Sequence, residues 1–142
     1  MAFKQYNGRV KTEWYPKVAS TAFNVGDLVY ADGSGNIQPA DSTSGMHIGV
    51  IQKKVASTDA DYASNTLVPV LVPQDDTEWL VDVGTGTATA ALVGTQFDLT
   101  DADSVDVSAT SKNVVTCTKF ISASKVVVKI NAMIANADVA TS

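Results

Sequence analysis

Hydrophobic and polar positions alternate over much of the chain, which is the pattern of half-buried β-strands. The apolar runs are short and rich in Val, Ile and Thr. No window of a dozen residues carries a 3.6-residue apolar stripe between helix caps. The predicted strands are Asp27–Ala31, His47–Lys54, Leu67–Val72, Glu78–Val83, Thr87–Leu92, Gln96–Leu99, Asn113–Ser122 and Lys125–Asn131. We therefore predict an all-β fold, a compact small β-barrel or sandwich.

The segments between these strands have the residues that tight turns require. Ala31–Asn36 contains residues that tolerate a positive φ, and Thr110–Asn113 suits a sharp reversal. Ala123 and Ser124 separate two apolar runs and predict a hairpin.

The first twenty residues have a different pattern. Two adjacent aromatic residues, Trp14 and Tyr15, precede Pro16, which favours an extended backbone. Such an arm has two interpretations: it folds back over the barrel, or it adds a strand to another chain. We predict an arm over residues 1–20, a domain over 21–131 and a C-terminal tail over 132–142. Deleting residues 1–17 should then leave the domain folded.

Charge is unevenly distributed along the 142 residues, a length that fits one domain. The net charge is -5, yet the first twenty residues carry four basic side chains against one acidic one, Glu13. No basic residue occurs between Lys54 and Lys112. An acidic body binds polyanions poorly, so no nucleic-acid partner is predicted. Two interpretations are open. Either the carboxylates lie on solvated turns and keep the protein soluble, or the basic N-terminal segment binds an acidic partner surface while the acidic body faces solvent.

The cysteine count and the absence of long apolar runs exclude several classes of protein. Cys117 is the only cysteine, so an intrachain disulfide framework is excluded. No run of about 18 apolar residues predicts a membrane helix, and no membrane partner is expected. The N-terminal residues lack the apolar stretch of a secretion signal, so synthesis in a cytosol is expected.

Three segments resemble ligand-binding loops, and we interpret all three as turns. Gly33–Gly35 and Gly84–Gly86 lack the lysine and the following helix of a phosphate-binding loop. Asp101–Asp106 has alternating carboxylates that suit calcium, without the glycine and glutamate of an EF-hand. An acidic turn is the favoured interpretation, and a weak calcium site near Asp101 and Asp103 is the alternative.

No combination of residues predicts catalysis. His47 is the only histidine and begins an apolar run, without a nucleophile motif nearby. Asp75 and Asp76 are adjacent and would point to opposite sides of an extended chain. We predict a binding or structural protein that is not an enzyme and has no cofactor and no metal.

Two stretches carry a resemblance to a known family. The first is Phe23-Asn-Val-Gly-Asp-Leu-Val-Tyr-Ala-Asp-Gly-Ser-Gly-Asn-Ile-Gln-Pro-Ala40, followed by Ile48-Gly-Val50. The second begins at Val93-Gly-Thr-Gln-Phe-Asp-Leu-Thr100 and continues through Asp106-Val107 to Phe120–Ile130. Together they resemble the small β-rich capsid decoration proteins, also called cement proteins, of tailed bacteriophages.

The resemblance implies a structural virion protein. Such proteins bind the outer surface of an icosahedral capsid, bridge neighbouring subunits of the major capsid protein and often form homotrimers. Their N-terminal segment commonly pairs with a capsid strand. The location would be the virion surface, after synthesis in the host bacterial cytoplasm. The residues that we expect to contact the capsid are Lys4, Tyr6, Arg9, Lys11, Trp14, Tyr15 and Lys17.

Two other functions stay open at this point. A carbohydrate-binding or host-attachment module on the virion surface would use exposed aromatic residues, although Trp79 lies in an alternating run typical of a core. A small trimeric β enzyme, such as a nucleotide hydrolase, would need a phosphate loop and ordered carboxylates.

Overall fold

A computed structural model describes residues 1–44 and 47–131; the predicted tail over 132–142 lies outside the described residues. Strands make up about half of the described residues, whose only helical element is a 3₁₀ turn at Ala90–Leu92. The all-β prediction is therefore confirmed. The strands are β1 Phe3–Asn7, β2 Val10–Pro16, β3 Leu28–Ala31, β4 Ile37–Pro39, β5 His47–Ile51, β6 Leu67–Pro73, β7 Glu78–Thr85, β8 Gln96–Asp101, β9 Ser104–Asp106, β10 Val115–Ser122 and β11 Lys125–Ile130.

Five of these strands close into a barrel. Their order is β7-β11-β10-β8-β9, and β9 pairs back onto β7 in parallel. Strand β1 joins the same side of β7 as β9 does, because β1 pairs with Glu78–Val81 and β9 with Asp82–Thr85. The barrel core contains large side chains from several strands, including Phe3, Trp79, Phe97 and Leu99.

A second sheet packs against the barrel. Its order is β2-β6-β5-β3-β4, with every pair antiparallel. One face contributes Leu28 and Val50 to the barrel core. The other face, which includes Val29, Val68 and Val70, forms a second core with Phe23 and Val55 from the loops. Because both faces are covered, β5 is buried at all five positions.

The N-terminal segment is extended, as predicted, and pairs within its own chain. Strand β1 pairs with β7 and strand β2 pairs with β6, so the segment folds back over the domain. Phe3 is only 2% exposed. At the crossing between the sheets, Gly8 has a φ of +84°, and a Cβ there would lie 2.0 Å from the carbonyl oxygen of Asp76. The predicted boundary at residue 20 does not separate an arm from a body.

Lys17 fixes the end of β2 from inside the protein. Its side chain is fully buried, and its amine donates hydrogen bonds to the carbonyl oxygens of Tyr62 at 2.9 Å and Ser64 at 2.5 Å. The amide of Asn65 in turn donates to the carbonyl oxygen of Lys17. These bonds attach the loop after β5 to the end of β2.

One predicted strand is absent from the structure, and two short strands were not predicted. Thr87–Leu92 is a turn, in which only Ala88 is buried, and alanine favours strands weakly. Ile37–Pro39 and Ser104–Asp106 are short strands that we did not predict. Their pairing with distant strands sets their conformation. The predicted hairpin at Ala123 is confirmed, since Ser122 pairs with Lys125.

A buried carboxylate holds the loop before β10. Asp98 is 4% exposed. Its carboxylate accepts hydrogen bonds from the backbone N–H groups of Lys112 and Asn113, both at 2.7 Å, and from the backbone N–H and the hydroxyl of Ser111. Burial alone would raise the pKa of Asp98, but these donors outweigh it and hold the pKa below its usual range. The ionised carboxylate is therefore the form that the fold stabilises.

Removing the anchor of β1 should destabilise the whole domain. We expect Phe3→Ala to lower the free energy of unfolding by about 3–5 kcal/mol, because it leaves a cavity in the barrel core. Deletion of residues 1–17 should prevent folding, since it removes two edge strands as well as Lys17. Urea unfolding measures both effects. Lys4→Ala, at the exposed next position, is the control and should change stability by less than about 0.5 kcal/mol.

Asp98→Asn should lower the free energy of unfolding by about 1.5–3 kcal/mol at neutral pH, because neutral oxygen accepts these amide hydrogen bonds less strongly. The wild-type advantage should fall as the pH drops below about 4, where the unfolded state takes up its proton. Urea unfolding of wild type and variant as a function of pH measures this difference in stability. An equal loss in the exposed control Asp75→Asn would contradict the assignment.

Candidate interaction surface

The predicted contact residues divide into three groups by exposure. Tyr15 is half-buried and packs against the second core, and Lys17 is fully buried. Inclusion of Lys17 in the contact surface was wrong, because its amine is used inside the protein. The exposed residues are Lys4, Tyr6, Arg9, Lys11 and Trp14.

Two of the exposed residues belong to one face of the barrel. Cross-strand pairing places Lys119, Val127, Leu80 and Lys4 in one row across β10, β11, β7 and β1. A lysine stands at each end of this row, with apolar residues between. The amine of Lys119 lies 5.8 Å from the ring centroid of Tyr6, which is 46% exposed. We call Lys4, Tyr6, Leu80 and Lys119 the β1 face.

Glu78 fixes the geometry beside the β1 face. The Thr118 hydroxyl donates to its carboxylate at 2.5 Å, and the Asn7 amide donates at 3.3 Å. The Thr118 hydrogen bond lowers the pKa of Glu78, burial opposes it, and the bond from Asn7 and the charge of Lys119 add to the lowering. The Lys119 amine lies 3.7 Å from the same carboxylate. Glu78 thus holds a lysine from β10 near β1.

The fold gathers basic residues that are far apart in the sequence. Strands β10 and β11 carry Lys119, Lys125 and Lys129, and they are joined through β7 to β1 with its Lys4. Strands β8 and β9 carry acidic residues on the opposite part of the barrel ring. Sequence reasoning missed these three lysines as surface candidates. The signal available in the sequence was that lysines reappear after the long stretch without basic residues.

Half of the ten basic side chains form ion pairs with acidic residues in the described part of the same chain. Arg9 lies 3.3 Å from Asp76, Lys11 lies 2.9 Å from Glu13, and Lys125 lies 2.7 Å from Asp82. Such exposed pairs are individually worth less than about 1 kcal/mol. They can exchange partners on binding at little cost.

The second exposed feature is the outer edge of β2, the residues Val10–Pro16, which we call the β2 edge. Strand β2 is the last strand of its sheet, where its neighbour is β6. Its free side meets β4 just beyond Pro16, where Lys17 bridges to Ile37. Trp14 is 59% exposed, and Leu67, opposite Pro16, is 58% exposed. Trp14 and Pro16 lie on the same side of the strand. An unpaired strand beside exposed apolar residues is a typical interaction surface.

A serine and histidine pair lies inside the protein. The Ser44 hydroxyl lies 2.9 Å from Nε2 of His47, and these residues are 6% and 0% exposed. The ring of Tyr30 contacts the histidine edge-on. Burial keeps this serine from any substrate in the structure. Cys117 is also buried, which raises the pKa of its thiol.

The acidic turn between β8 and β9 holds a carboxyl pair. A hydrogen bond with Asp101 raises the pKa of Asp103 to about 6, and burial and the charge of Asp101 add to the effect. The amide of Asp103 and the hydroxyl of Ser104 donate to Asp101 at 3.1 and 2.8 Å, which closes the turn. The described residues contain no group of three or more His, Cys, Asp or Glu side chains placed to hold a metal ion. The hydrogen bonds within Asp101–Ser104 are those of a closed turn.

Comparison with known proteins adds no family. No protein-family model and no curated protein matches the chain. Within the described residues, no helix is long and apolar enough to cross a membrane.

The carboxyl pair predicts a specific pH dependence. Because the folded pKa of Asp103 is raised, its stabilising effect is complete below the unfolded pKa of about 4 and is lost as the pH rises to about 6. Asp103→Asn keeps a hydrogen-bond donor and cannot ionise. The stability of this variant relative to wild type should increase between pH 4 and 6, as measured by urea unfolding. A stability difference between variant and wild type that stays constant over this pH range would contradict the raised pKa of Asp103.

Proposed function

We propose that this protein is a capsid decoration protein, which binds the outer surface of an icosahedral phage head and bridges neighbouring capsid subunits. The proposal rests on the resemblance in two stretches of the sequence. The β1 face is the structural observation that supports it, because it presents an exposed tyrosine and two exposed lysines on a hydrogen-bonded sheet. A major capsid protein with an acidic outer surface is the partner that this chemistry suits.

The structure changes how we expect the contact to form. The N-terminal residues are strands of a folded domain, so no ordering of a loose arm is needed on binding. Binding by a preformed surface avoids the entropy cost of ordering a segment. Each contact is modest, and many copies on one shell would add their effects. A homotrimer at three-fold positions of the capsid stays a prediction from the resemblance.

Charge reversal on the β1 face should weaken binding to the capsid. We expect the double variant Lys4→Glu with Lys119→Glu to bind at least about tenfold more weakly, a loss of about 1.4 kcal/mol. The measurement is co-sedimentation with bare heads of the virus that encodes the chain, at several salt concentrations. Raised salt should weaken wild-type binding, because the attraction is between exposed charges.

The matched control is Lys54→Glu with Lys112→Glu, two exposed lysines outside the β1 face with the same change in charge. It should bind as wild type does. Equal loss in both double variants would assign the effect to net charge alone. Absence of the chain from purified heads would overturn the proposed function.

One observation favours a second function, a carbohydrate-binding or host-attachment module. Trp14 and Tyr6 are both substantially exposed and could stack on sugar rings. Trp79 has no such role, because it is fully buried. Binding of the wild-type protein to a glycan array, lost in Trp14→Ala, would favour this function over the capsid contact.

A further inference from the structure

The backbone of the β2 edge has a defined orientation. The Lys17 amide bonds to the carbonyl of Thr66 on the β6 side, and the next amide, Val18, points the other way to Ile37. In an antiparallel pair, successive residues alternate between facing the partner strand and facing away. Opposite Trp14 lies Pro69, which has no N–H, and the carbonyl of Pro69 bonds to Gln52 on the β5 side. Even-numbered residues of β2 therefore direct their peptide groups outward.

The outward peptide groups belong to Val10, Thr12 and Trp14. They lie at every second residue along a strand of seven residues. This spacing is what an additional antiparallel strand requires. On this side Ile37 of β4 bonds to the chain just after β2, at Lys17 and Val18. Along Val10, Thr12 and Trp14 no described strand is paired on this side.

The side chains of the β2 edge are complementary to themselves. When a second β2 runs antiparallel and is centred on Thr12, Lys11 lies opposite Glu13 of the second copy, and Glu13 lies opposite its Lys11. In the same register, Trp14 lies opposite Val10 of the second copy. Within one copy the Lys11 amine already lies 2.9 Å from its own Glu13. In the pair each of these charges also faces its opposite on the second copy, so opposite charges and apolar side chains both match around one two-fold axis.

This register also pairs every outward peptide group. Val10 faces Trp14, Thr12 faces Thr12, and Trp14 faces Val10, each as a pair that exchanges two hydrogen bonds. A shift by two residues would place Lys11 opposite Lys11 or Glu13 opposite Glu13 of the second copy, which is unfavourable. Charge thus selects the register centred on Thr12.

We propose that the β2 edge binds a second copy of this chain, as an antiparallel β2–β2 pair centred on Thr12. The two five-stranded sheets become one continuous sheet, and Trp14 loses part of its exposure. A contact of one strand per copy is smaller than the standard interface of about 800 Å² per partner, so the dimer is weak. The proposal does not depend on the capsid, because the contact lies on β2 and not on the β1 face.

The register is tested by charge reversal on the full chain. Lys11→Glu places carboxylates opposite each other in both pairs, and Glu13→Lys places two amines opposite each other. Each variant alone should raise the dimer dissociation constant several-fold, as measured by sedimentation equilibrium at high micromolar concentration. The double variant Lys11→Glu with Glu13→Lys restores both opposite-charge pairs and should dimerise as wild type does.

The backbone contact is tested by proline substitution. Thr12→Pro removes an outward N–H and should abolish the dimer while leaving the melting temperature nearly unchanged. Glu13→Pro is the matched control: it removes an N–H directed at β6 and should lower the melting temperature. A monomeric wild type at high concentration would overturn the proposal. So would a dimer that survives Thr12→Pro, or a charge-reversed double variant that fails to recover.

Discussion

The fold depends on β7, which has two edges and three neighbouring strands. One edge pairs with β11, while the other is divided between β1 and β9 at the step from Val81 to Asp82. Close approach of β9 requires Gly84, where a Cβ would lie 2.5 Å from the hydroxyl oxygen of Ser104. Barrel closure and attachment of the N-terminus are thus consequences of how one strand shares its hydrogen bonds. The second sheet follows, because β2 continues from β1 within three residues.

Alternation along the sequence was enough to predict strands with a buried face. Val68, Val70 and Val72 alternate with less buried residues in β6, and this strand was predicted nearly in full. Alternation was not enough where pairing comes from far away. Ser104–Asp106 looks like part of an acidic turn, and only its parallel pairing with β7 makes it a strand. The direction of pairing for residues 3–16 was equally undetermined, since an extended segment suits its own chain or another.

The candidate surface, like the fold, could be predicted from the sequence only in part. Tyr6 and Trp14 could be selected from the sequence as exposed aromatic residues near basic ones. Lys119 could not, because 115 positions separate it from Lys4 and only the sheet order β1-β7-β11-β10 brings them onto one face. Lys17 illustrates the opposite error. Its charge suggests solvent, but backbone carbonyls satisfy its amine inside the protein.

The two tryptophans occupy opposite environments. Trp79 is fully buried in the barrel core, whereas Trp14 stands in solvent at a sheet margin. The protein therefore carries two intrinsic fluorophores that report different events. The fluorescence of Trp79 should change when the barrel core unfolds. The fluorescence of Trp14 should change when a partner covers the β2 edge. With either indole replaced by phenylalanine, folding and association can be followed separately in the same molecule without an added dye.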